Sequence, residues 1–443
     1  YGQAWLRHAP EDTRVALQSE LGRVLYEHLR REDEALRFLD AASSGDAPDL
    51  DAAGLLERVY EARGNWAMAV DGVLRQARAS DGDDALRHFI RAARRRLETL
   101  HDRDGAADIY RQVLAVDEDN GEALRFLGGH LYDAGDLEGA VGIYARMVDQ
   151  EAERDLDDFD VQIEVALFFF RFAESLRQLE RPDEALVRYE QGLKLNSSHL
   201  PSLEAVGPLY MAAERWDAAA KVYRQILQLT GGQGDPERLA RTYTSLGKVE
   251  FHLGNLDKAK KRFNKALELR ANDIRALQGI ASVLFARGDW NNLLNVYNNI
   301  IYHAQEPGEV VDAYLTKGFV LDAKMELPEK ARQHYEKSLA FDPSQPAALL
   351  RLAELALRQQ DWPEAVVLAD RGLALEPEAN GLVAGLQLVR AVAHSASGDS
   401  SAAKAARAAA RAADVTLDET VGGDETGWEQ LHEVLLARLQ AQL

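Results

Sequence analysis

Apolar residues recur at helical intervals in a stretch of the chain that is otherwise dense with lysine. In LGNLDKAKKRFNKALELRAND, residues 253–273, four apolar positions follow one another at intervals of three, four and three residues. They are Leu256, Ala259, Phe263 and Ala266. Such intervals place side chains on one face of an α-helix. The pattern therefore predicts a helix that begins near Leu256, after the turn residues Gly254 and Asn255, and that needs neighbouring helices to bury its narrow apolar face.

The same intervals return along the chain and predict several helices of one kind. An alanine followed at four-residue intervals by further apolar residues, usually with a tyrosine first, recurs in five more segments. These are residues 134–148, 181–195, 214–229, 327–343 and 360–377. A second apolar helix precedes them, as in TYTSLGKVEFHLG ahead of the lysine-rich stretch and LRFLGGHLYDAG farther upstream. The repeating unit is therefore two helices joined by a turn.

Helix pairs that recur about every 34 residues with this signature resemble the tetratricopeptide repeat. The small residues Gly247 and Ala259, which let two helices approach closely, and the aromatic Phe263 carry the resemblance. It implies an all-α fold, a right-handed α-solenoid of about eleven helix–turn–helix units over residues 1–414. The units are placed near residues 13–48, 50–83, 84–118, 121–153, 157–198, 200–233, 236–272, 274–306, 308–343, 346–378 and 380–414.

Three segments depart from the standard unit. The unit at 157–198 is expected to carry a lengthened first helix, and residues 415–427 read as a linker loop. WEQLHEVLLARLQAQL at 428–443 predicts an amphipathic helix that caps the exposed apolar end of the solenoid. Because YGQAWLRHAP lacks an initiating Met, we expect a fragment or a processed product, with room for a repeat or domain upstream.

Composition narrows the classes of function. The 443 residues include no cysteine, which excludes disulfides, thiolate metal sites and cysteine nucleophiles. The longest apolar run, VALFFF at 165–170, is far too short to span a membrane. A net charge of −21 argues against nucleic-acid binding, which needs a basic footprint, and against anionic membrane surfaces. The acidity either serves solubility or attracts a basic partner.

Three polar segments resemble chemical motifs, and each is better explained as a turn or linker. VDEDNGE at 116–122 is similar to a calcium loop, but Gly128 stands where that loop needs a bidentate glutamate. TGGQGD at 230–235 and VGGDETG at 421–427 lack the strand and lysine of a phosphate loop. The eleven histidines are scattered. Together with the resemblance to partner-binding repeats, this predicts a non-enzyme without cofactor or metal.

The resemblance implies that the first helix of each unit lines a concave groove that holds the partner. Groove positions in the units nearest the N-terminus concentrate arginine. The predicted residues there are Arg58, His88, Arg91, Arg95, Arg125 and Tyr132. Because arginine pairs bidentately with carboxylates, we expect an acidic segment or C-terminus of a partner at this point. The alternative is a solvated helix face whose arginines pair with local acids such as Glu98.

Farther along, the implied groove positions are more apolar. The predicted residues are Phe170, Met211, Lys248, Phe285 and Phe319. ALFFFRF at 166–172 cannot bury four phenylalanines on one stripe, so we expect Phe170 to face the groove. The alternative is that the lengthened helix packs against neighbours on both sides. The lysine–asparagine–arginine clamp of some tetratricopeptide co-chaperones is not expected, since Gly279 stands where the asparagine would be.

These features predict a protein-interaction scaffold or adaptor that is a monomer, because the capped end blocks stacking. The alanine- and arginine-rich composition is typical of a GC-rich bacterium, where such arrays often serve surface-machine assembly, motility, secretion or regulation. A regulatory arm of a larger enzyme or signalling protein and a self-assembling structural solenoid are the alternatives. We expect a cytoplasmic location, with the periplasm left open because the true N-terminus is not fixed by this sequence.

Overall fold

Paired helices account for the chain that the structure describes. The computed structural model describes residues 10–44, 48–154, 156–231 and 234–414. Within these ranges 22 α-helices follow one another as eleven pairs, without a β-strand. The predicted all-α repeat architecture is thereby confirmed. The predicted linker at 415–427 and capping helix at 428–443 lie outside the described residues.

The chain divides into two compact units, Tyr1–Leu209 and Tyr210–Leu443. The first unit contains α1 (Glu11–Glu27), α2 (Glu32–Ala42), α3 (Leu50–Ala62), α4 (Trp66–Ala79), α5 (Gly82–Leu100), α6 (Arg103–Val116), α7 (Gly121–Ala134), α8 (Leu137–Ala152), α9 (Phe159–Gln178) and α10 (Pro182–Leu195). Helix α11 (Leu200–Ala212) contains the boundary. The second unit continues with α12 (Trp216–Leu229), α13 (Pro236–His252), α14 (Leu256–Leu269), α15 (Ile274–Ala286), α16 (Trp290–His303), α17 (Pro307–Phe319), a π-helical turn (Val320–Lys324), α18 (Pro328–Phe341), α19 (Pro346–Arg358), α20 (Trp362–Leu373), α21 (Asn380–Ala396) and α22 (Ser400–Ala413).

Every turn between the two helices of a pair holds one residue in the left-handed backbone conformation. The eleven residues are Arg30, Gly64, His101, Gly135, Glu180, Glu214, Gly254, Gly288, Glu326, Gln360 and Gly398, with φ from 52° to 86°. Glycine adopts this conformation without steric cost, whereas other residues do so at a penalty of about 1–2 kcal/mol. The tight turn is therefore a property of the repeat, and glycine is its cheapest but not its only solution.

Short polar residues and prolines define where the second helices begin. The Asp136 side chain accepts a hydrogen bond from the Gly139 N–H at 3.0 Å, which satisfies one of the free donors at the start of α8. Pro182, Pro328 and Pro363 occupy the first turns of α10, α18 and α20, where a missing N–H costs no hydrogen bond. Helices α10 and α18 begin at their proline, and α20 begins one residue before Pro363.

Aromatic side chains of second helices fill the space between neighbouring pairs. Phe263 of α14 is 1% exposed and lies against Gly247 of α13 and Gly279 of α15. A Cβ atom added at Gly247 would lie 2.6 Å from the Phe263 ring, and one at Gly279 would lie 2.3 Å from it. Tyr335 is likewise fully buried, against Gly318. Each ring therefore holds together its own pair, and Phe263 also joins that pair to the next.

First helices of successive pairs also contact one another within a unit. Such contacts join α1 with α3 and α7 with α9 in the first unit, and α13 with α15 and α19 with α21 in the second. The residues that these first helices leave exposed form, within each unit, a surface that we call the first-helix face. The predicted site residues all belong to first helices.

Candidate functional site

The predicted arginines near the N-terminus are held by glutamates of the preceding pair. Arg91 of α5 lies 2.8 Å from Glu57 of α3, and Arg95 lies 3.2 Å from the same carboxylate and also pairs with Glu61. Both acids precede their arginines by 34 residues, which is one repeat. The side chain of Glu57 is only 8% exposed, so its charge depends on these partners and on Gln76, which donates to it at 2.8 Å.

The two other predicted arginines of this segment also form ion pairs, and the predicted His88 lies beside Arg91. Arg58 lies 3.7 Å from Glu27 of α1, and Arg125 lies 3.1 Å from the buried Glu151 of α8. His88 is half-buried beside Arg91, and burial together with that positive charge lowers its pKa. Arg58, Arg91 and Arg95 therefore form an ion-pair ladder between repeats, and Arg125 is paired within its own repeat. The partners are not local ones such as Glu98, because they come from neighbouring helices.

The phenylalanines of α9 are buried to different degrees. Phe168, Phe169 and Phe172 are buried, and Phe170 is half-buried with its ring centroid 4.9 Å from that of His199. Phe170 packs against Tyr189 of α10 as well as against His199, and its orientation toward the groove stays a prediction. The long helix packs on two sides, as the alternative interpretation held.

An apolar stripe on α9 is exposed instead. Phe159, Ile163 and Leu167 have 70%, 40% and 39% of their surface exposed. They lie at intervals of four residues, so they share one face of the helix. The four-residue interval of this stripe is visible in the sequence, next to the denser run of phenylalanines at 168–172.

A cleft of about 320 Å³ lies where this stripe ends, and it combines apolar and cationic groups. Its lining consists of the arginines Arg125, Arg154 and Arg171, the glutamates Glu151 and Glu164, and Tyr144, Met147, Leu167 and Phe168. Glu151 binds Arg125 and Arg154 through different oxygens, each at 3.1 Å. Arg171 has no acidic partner within the described ranges, and its guanidinium lies 5.8 Å from the centroid of the predicted site residue Tyr132.

The hydroxyl of Tyr144 in this cleft is buried and makes no hydrogen bond to another described residue. Tyr144 is 2% exposed, and burial raises its pKa, although the nearby Arg171 opposes that rise. A buried hydroxyl without a partner is unfavourable by roughly 1–3 kcal/mol. The cleft therefore contains a donor and a cation that an acceptor group could satisfy.

Of the predicted residues in the second unit, Phe319 is not available to a partner. It is 2% exposed, because the Arg351 guanidinium of α19 lies 5.3 Å from its ring centroid and the Lys324 ammonium lies 5.9 Å from it. The prediction for Phe319 is wrong. Met211 is half-buried and accepts a hydrogen bond from the Tyr223 hydroxyl at 3.4 Å.

The remaining predicted residues of the second unit are exposed. Phe285 keeps 37% of its surface exposed while its ring packs edge-on against Trp290. Lys248 is exposed on α13 and lines an open cleft of about 540 Å³ between three successive pairs. The cleft brings the predicted Lys248 together with Arg241, Arg270 and Arg275.

The charges that line this second cleft are only partly paired. Arg241 lies 3.5 Å from Glu237, and Arg270 lies 3.6 Å from the same glutamate. Lys248 and Arg275 line the cleft without an acidic partner in the described part of the chain. The buried hydroxyl of Thr244 also lines it and lacks a hydrogen bond there. Arg275 was not predicted, because it lies one residue before the apolar run of α15.

Metal and membrane chemistry find no support in the residues that the structure describes. Among them, no group of three or more histidine, aspartate or glutamate side chains is arranged to hold a metal ion. No helix in this part of the chain combines the length and the apolar composition that crossing a membrane requires.

Comparisons with known proteins find the same type of repeat in three separate parts of the chain. Models described as tetratricopeptide repeat match residues 95–155, 201–272 and 324–388. ETO1-like protein 2 of Arabidopsis thaliana is 23% identical over 226 residues, which are 50% of this chain and 22% of that protein. Superkiller protein 3 of Schizosaccharomyces pombe is 24% identical over 113 residues, which are 25% of this chain and 8% of that protein.

The chain thus spans less than a quarter of the length of either relative. Among solved structures, a tetratricopeptide repeat protein from Parabacteroides merdae superposes with a TM-score of 0.40 at 20% identity. The match covers 60% of this chain and 98% of that one.

Proposed function

Since this chain belongs to the tetratricopeptide-repeat family, we propose that it is a scaffold that holds an acidic segment of a partner protein on the first-helix face of its second unit. Repeats of this family bind protein or peptide partners and are generally not catalytic. The observation that carries the proposal is the cleft in which Lys248 and Arg275 lack acidic partners, although the chain has a net charge of −21.

Two cations of the cleft suit the carboxylates of a partner, although four acidic residues also line it, namely Glu237, Asp273, Glu306 and Glu309. Lys248 and Arg275 project from the successive first helices α13 and α15, so two acidic side chains of one peptide could bind both cations. Charge-assisted hydrogen bonds of this kind are about twice as strong as neutral ones. The Thr244 hydroxyl lies in the same cleft and offers a further donor.

An acidic partner was expected at the N-terminal arginines, and the proposal moves it to the second unit. At Arg91 and Arg95 an incoming carboxylate would have to displace Glu57, which is nearly fully buried. Lys248 and Arg275 form no ion pair among the described residues, so an incoming carboxylate would displace none there, although Glu306 and Glu309 line the same cleft. The exposed position of these cations also makes the interaction sensitive to salt, since surface charges are screened within about 10 Å at 0.1 M.

The proposal for the cellular role of this chain rests on composition and not on the cleft. Assembly of a bacterial surface machine, motility, secretion or regulation stays a prediction from composition. A role as the regulatory arm of a larger protein also stays a prediction, and the short coverage of both relatives is compatible with it.

Site-specific photo-crosslinking tests the proposed cleft. Lys248 is replaced by a photoreactive phenylalanine analogue in the full chain, and irradiation is carried out in extract of the source organism. The matched control carries the same analogue at Lys258, an exposed lysine on the second helix α14. We expect an adduct from position 248 whose partner peptide is rich in aspartate and glutamate, and none above background from position 258.

A charge reversal then shows whether the cleft itself is recognised. Arg275→Glu in the Lys248 analogue chain should abolish the adduct, while Lys260→Glu on α14 should leave it unchanged. If adducts form equally at positions 248 and 258, or persist in Arg275→Glu, the partner does not bind in this cleft and the proposal fails.

A further inference from the structure

A second recognition surface lies in the first unit, on the lengthened helix α9. Phe159, Ile163 and Leu167 form its exposed apolar stripe, which extends about 12 Å along the helix at 1.5 Å per residue. Adjoining large apolar residues left in water at this spacing are typical of an interaction surface rather than of scattered surface side chains.

The two ends of the stripe carry opposite charge. At its N-terminal end the exposed Asp158 and Asp160 lie in the first turn of α9. At its C-terminal end Arg171 lies one helical turn beyond Leu167, which is about 6 Å farther along the axis. A ligand that covers the apolar stripe would therefore meet acids at one end and a cation at the other.

The cation end is built for an acceptor. Three arginines and two glutamates line the cleft there. Arg125 and Arg154 share Glu151, and Arg154 also pairs with Glu164, so these two arginines are neutralised within the chain. Arg171 remains without an acidic partner in the described residues, and the buried Tyr144 hydroxyl beside it has no hydrogen bond to them. These two groups lie in one cleft with Leu167, so a carboxylate that enters it would neutralise the arginine and accept from the hydroxyl.

From this arrangement we propose that α9 binds an amphipathic helix of a partner protein. Its apolar face would cover Phe159, Ile163 and Leu167, an acidic residue at one end would meet Arg171 and Tyr144, and a basic residue at the other would meet Asp158 and Asp160. The inference rests on the proposed scaffold function but uses a different unit of the chain. Because apolar side chains at intervals of three and four residues are the anchors of helix-in-groove recognition, the partner segment needs about three turns of helix.

Such a helix lies antiparallel to α9 when its acidic residue is in its first turn and its basic residue in its last. The helix dipole favours that same distribution of charge within the partner segment. The charge pattern of the surface therefore selects a stable helix and its direction together.

A synthetic peptide tests the proposal directly. The probe is a fluorescent helical peptide of about 15 residues with glutamate in its first turn, a leucine stripe at intervals of three and four, and lysine in its last turn. Binding to the full chain is measured by fluorescence anisotropy. The control peptide has the same composition with the leucines distributed around the helix, and we expect it to bind at least about tenfold more weakly.

Single substitutions locate the bound probe. Leu167→Asp and Arg171→Glu should each weaken binding about tenfold or more, because each removes a central anchor. Arg171→Lys should retain part of the affinity. The matched controls Val187→Asp, exposed on the second helix α10, and Arg37→Glu, exposed on α2, should bind as the unaltered chain does. Circular dichroism confirms that every variant is folded.

The test separates this inference from the proposed function. Lys248→Glu, which disables the cleft of the second unit, should leave probe binding unchanged, so failure of that cleft does not affect this result. The inference is overturned if the unaltered chain does not bind the probe or if the scrambled peptide binds equally well. It is also overturned if Leu167→Asp and Arg171→Glu bind normally, or if light scattering shows a dimer that Leu167→Asp dissociates, because a second copy would then cover the stripe.

Discussion

The contact between Phe263 and Gly279 makes a quantitative prediction about how neighbouring repeats are joined. In Gly279→Ala the new methyl group would lie 2.3 Å, 2.4 Å and 2.6 Å from three atoms of the Phe263 ring, whereas carbon atoms in contact are normally about 3.5–4.0 Å apart. The ring cannot move away, because Gly247 confines it on its other side and it is 1% exposed. Overpacking of this kind costs roughly 1–3 kcal/mol.

Helix propensity opposes this cost, because alanine is favoured over glycine in a helix. It determines whether Gly279→Ala stabilises or destabilises a chain in which Phe263 has been replaced by a smaller residue. Alanine is favoured over glycine within a helix by about 1 kcal/mol, so Gly279→Ala should destabilise the intact chain by a net value of up to about 2 kcal/mol. In Phe263→Leu the narrower side chain leaves room for the methyl group. There the same substitution should be neutral or stabilising, which gives a coupling energy of about 2 kcal/mol between the two positions.

Hydrogen exchange measured by mass spectrometry is the suitable assay, because a long repeat array does not unfold as one cooperative unit. Peptides from α14 and α15 report the free energy of local opening in the four chains of the cycle. Gly142→Ala on the exposed face of α8 is the control, since a Cβ atom there meets nothing within 4 Å. It should gain about 0.5–1 kcal/mol in peptides from α8.

The reasoning is refuted if Gly279→Ala has the same cost in both backgrounds. Such additivity would mean that the ring of Phe263 does not exclude the methyl group, and that the glycine serves another purpose. A loss of stability in Gly142→Ala would instead contradict the propensity argument.

Three further predictions concern the turns, the ion-pair ladder and pH. Gln360→Gly should raise the stability of α19 and α20 by up to about 1 kcal/mol in hydrogen exchange, because the left-handed residue loses its Cβ atom. Glu57→Gln should weaken protection of α3 and α5 by about 1–2 kcal/mol in hydrogen exchange, because Arg91 and Arg95 lose their buried carboxylate. Burial and two nearby lysines lower the pKa of His334 from 6.5 to about 4, so the unfolded chain binds a proton that the folded chain rejects between those values. Protection of α18 should therefore decline as the pH falls from 6.5 to 4, and His334→Phe should remove that decline.

The repeat itself could be predicted from the sequence because its signals are local. Gly247, Ala259 and Phe263 lie within one helix pair, and helical intervals together with a tight turn specify how such a pair packs. The all-α architecture follows from repetition of that local solution.

The surface of the repeats could not be predicted as well, because it depends on contacts between units. Glu57 and Arg91 are 34 residues apart. The helical spacing within α5 indicates only Glu98 as an ion-pair partner for its arginines, and it contains no information about a glutamate one repeat away. The lengthened α9 has two packed sides, so Leu167 is more exposed than Phe170. Phe319 is covered by Arg351, which belongs to the next pair. Each of these outcomes depends on a neighbour that the register of a single repeat does not include.

The ion-pair ladder of the first unit gives its repeats a direction. Between α1 and α3, and again between α3 and α5, the preceding helix supplies glutamate and the following helix supplies arginine, while Arg23 of α1 pairs with the exposed Asp51 of α3 in the opposite order. A tandem duplication of the helix pair α3–α4 would again place a glutamate of one first helix opposite an arginine of the next. An exchange of order with a pair that lacks these charges would leave Glu57 buried without a counter-charge. The charges therefore act as an ordering rule that permits the array to lengthen by duplication and resists rearrangement.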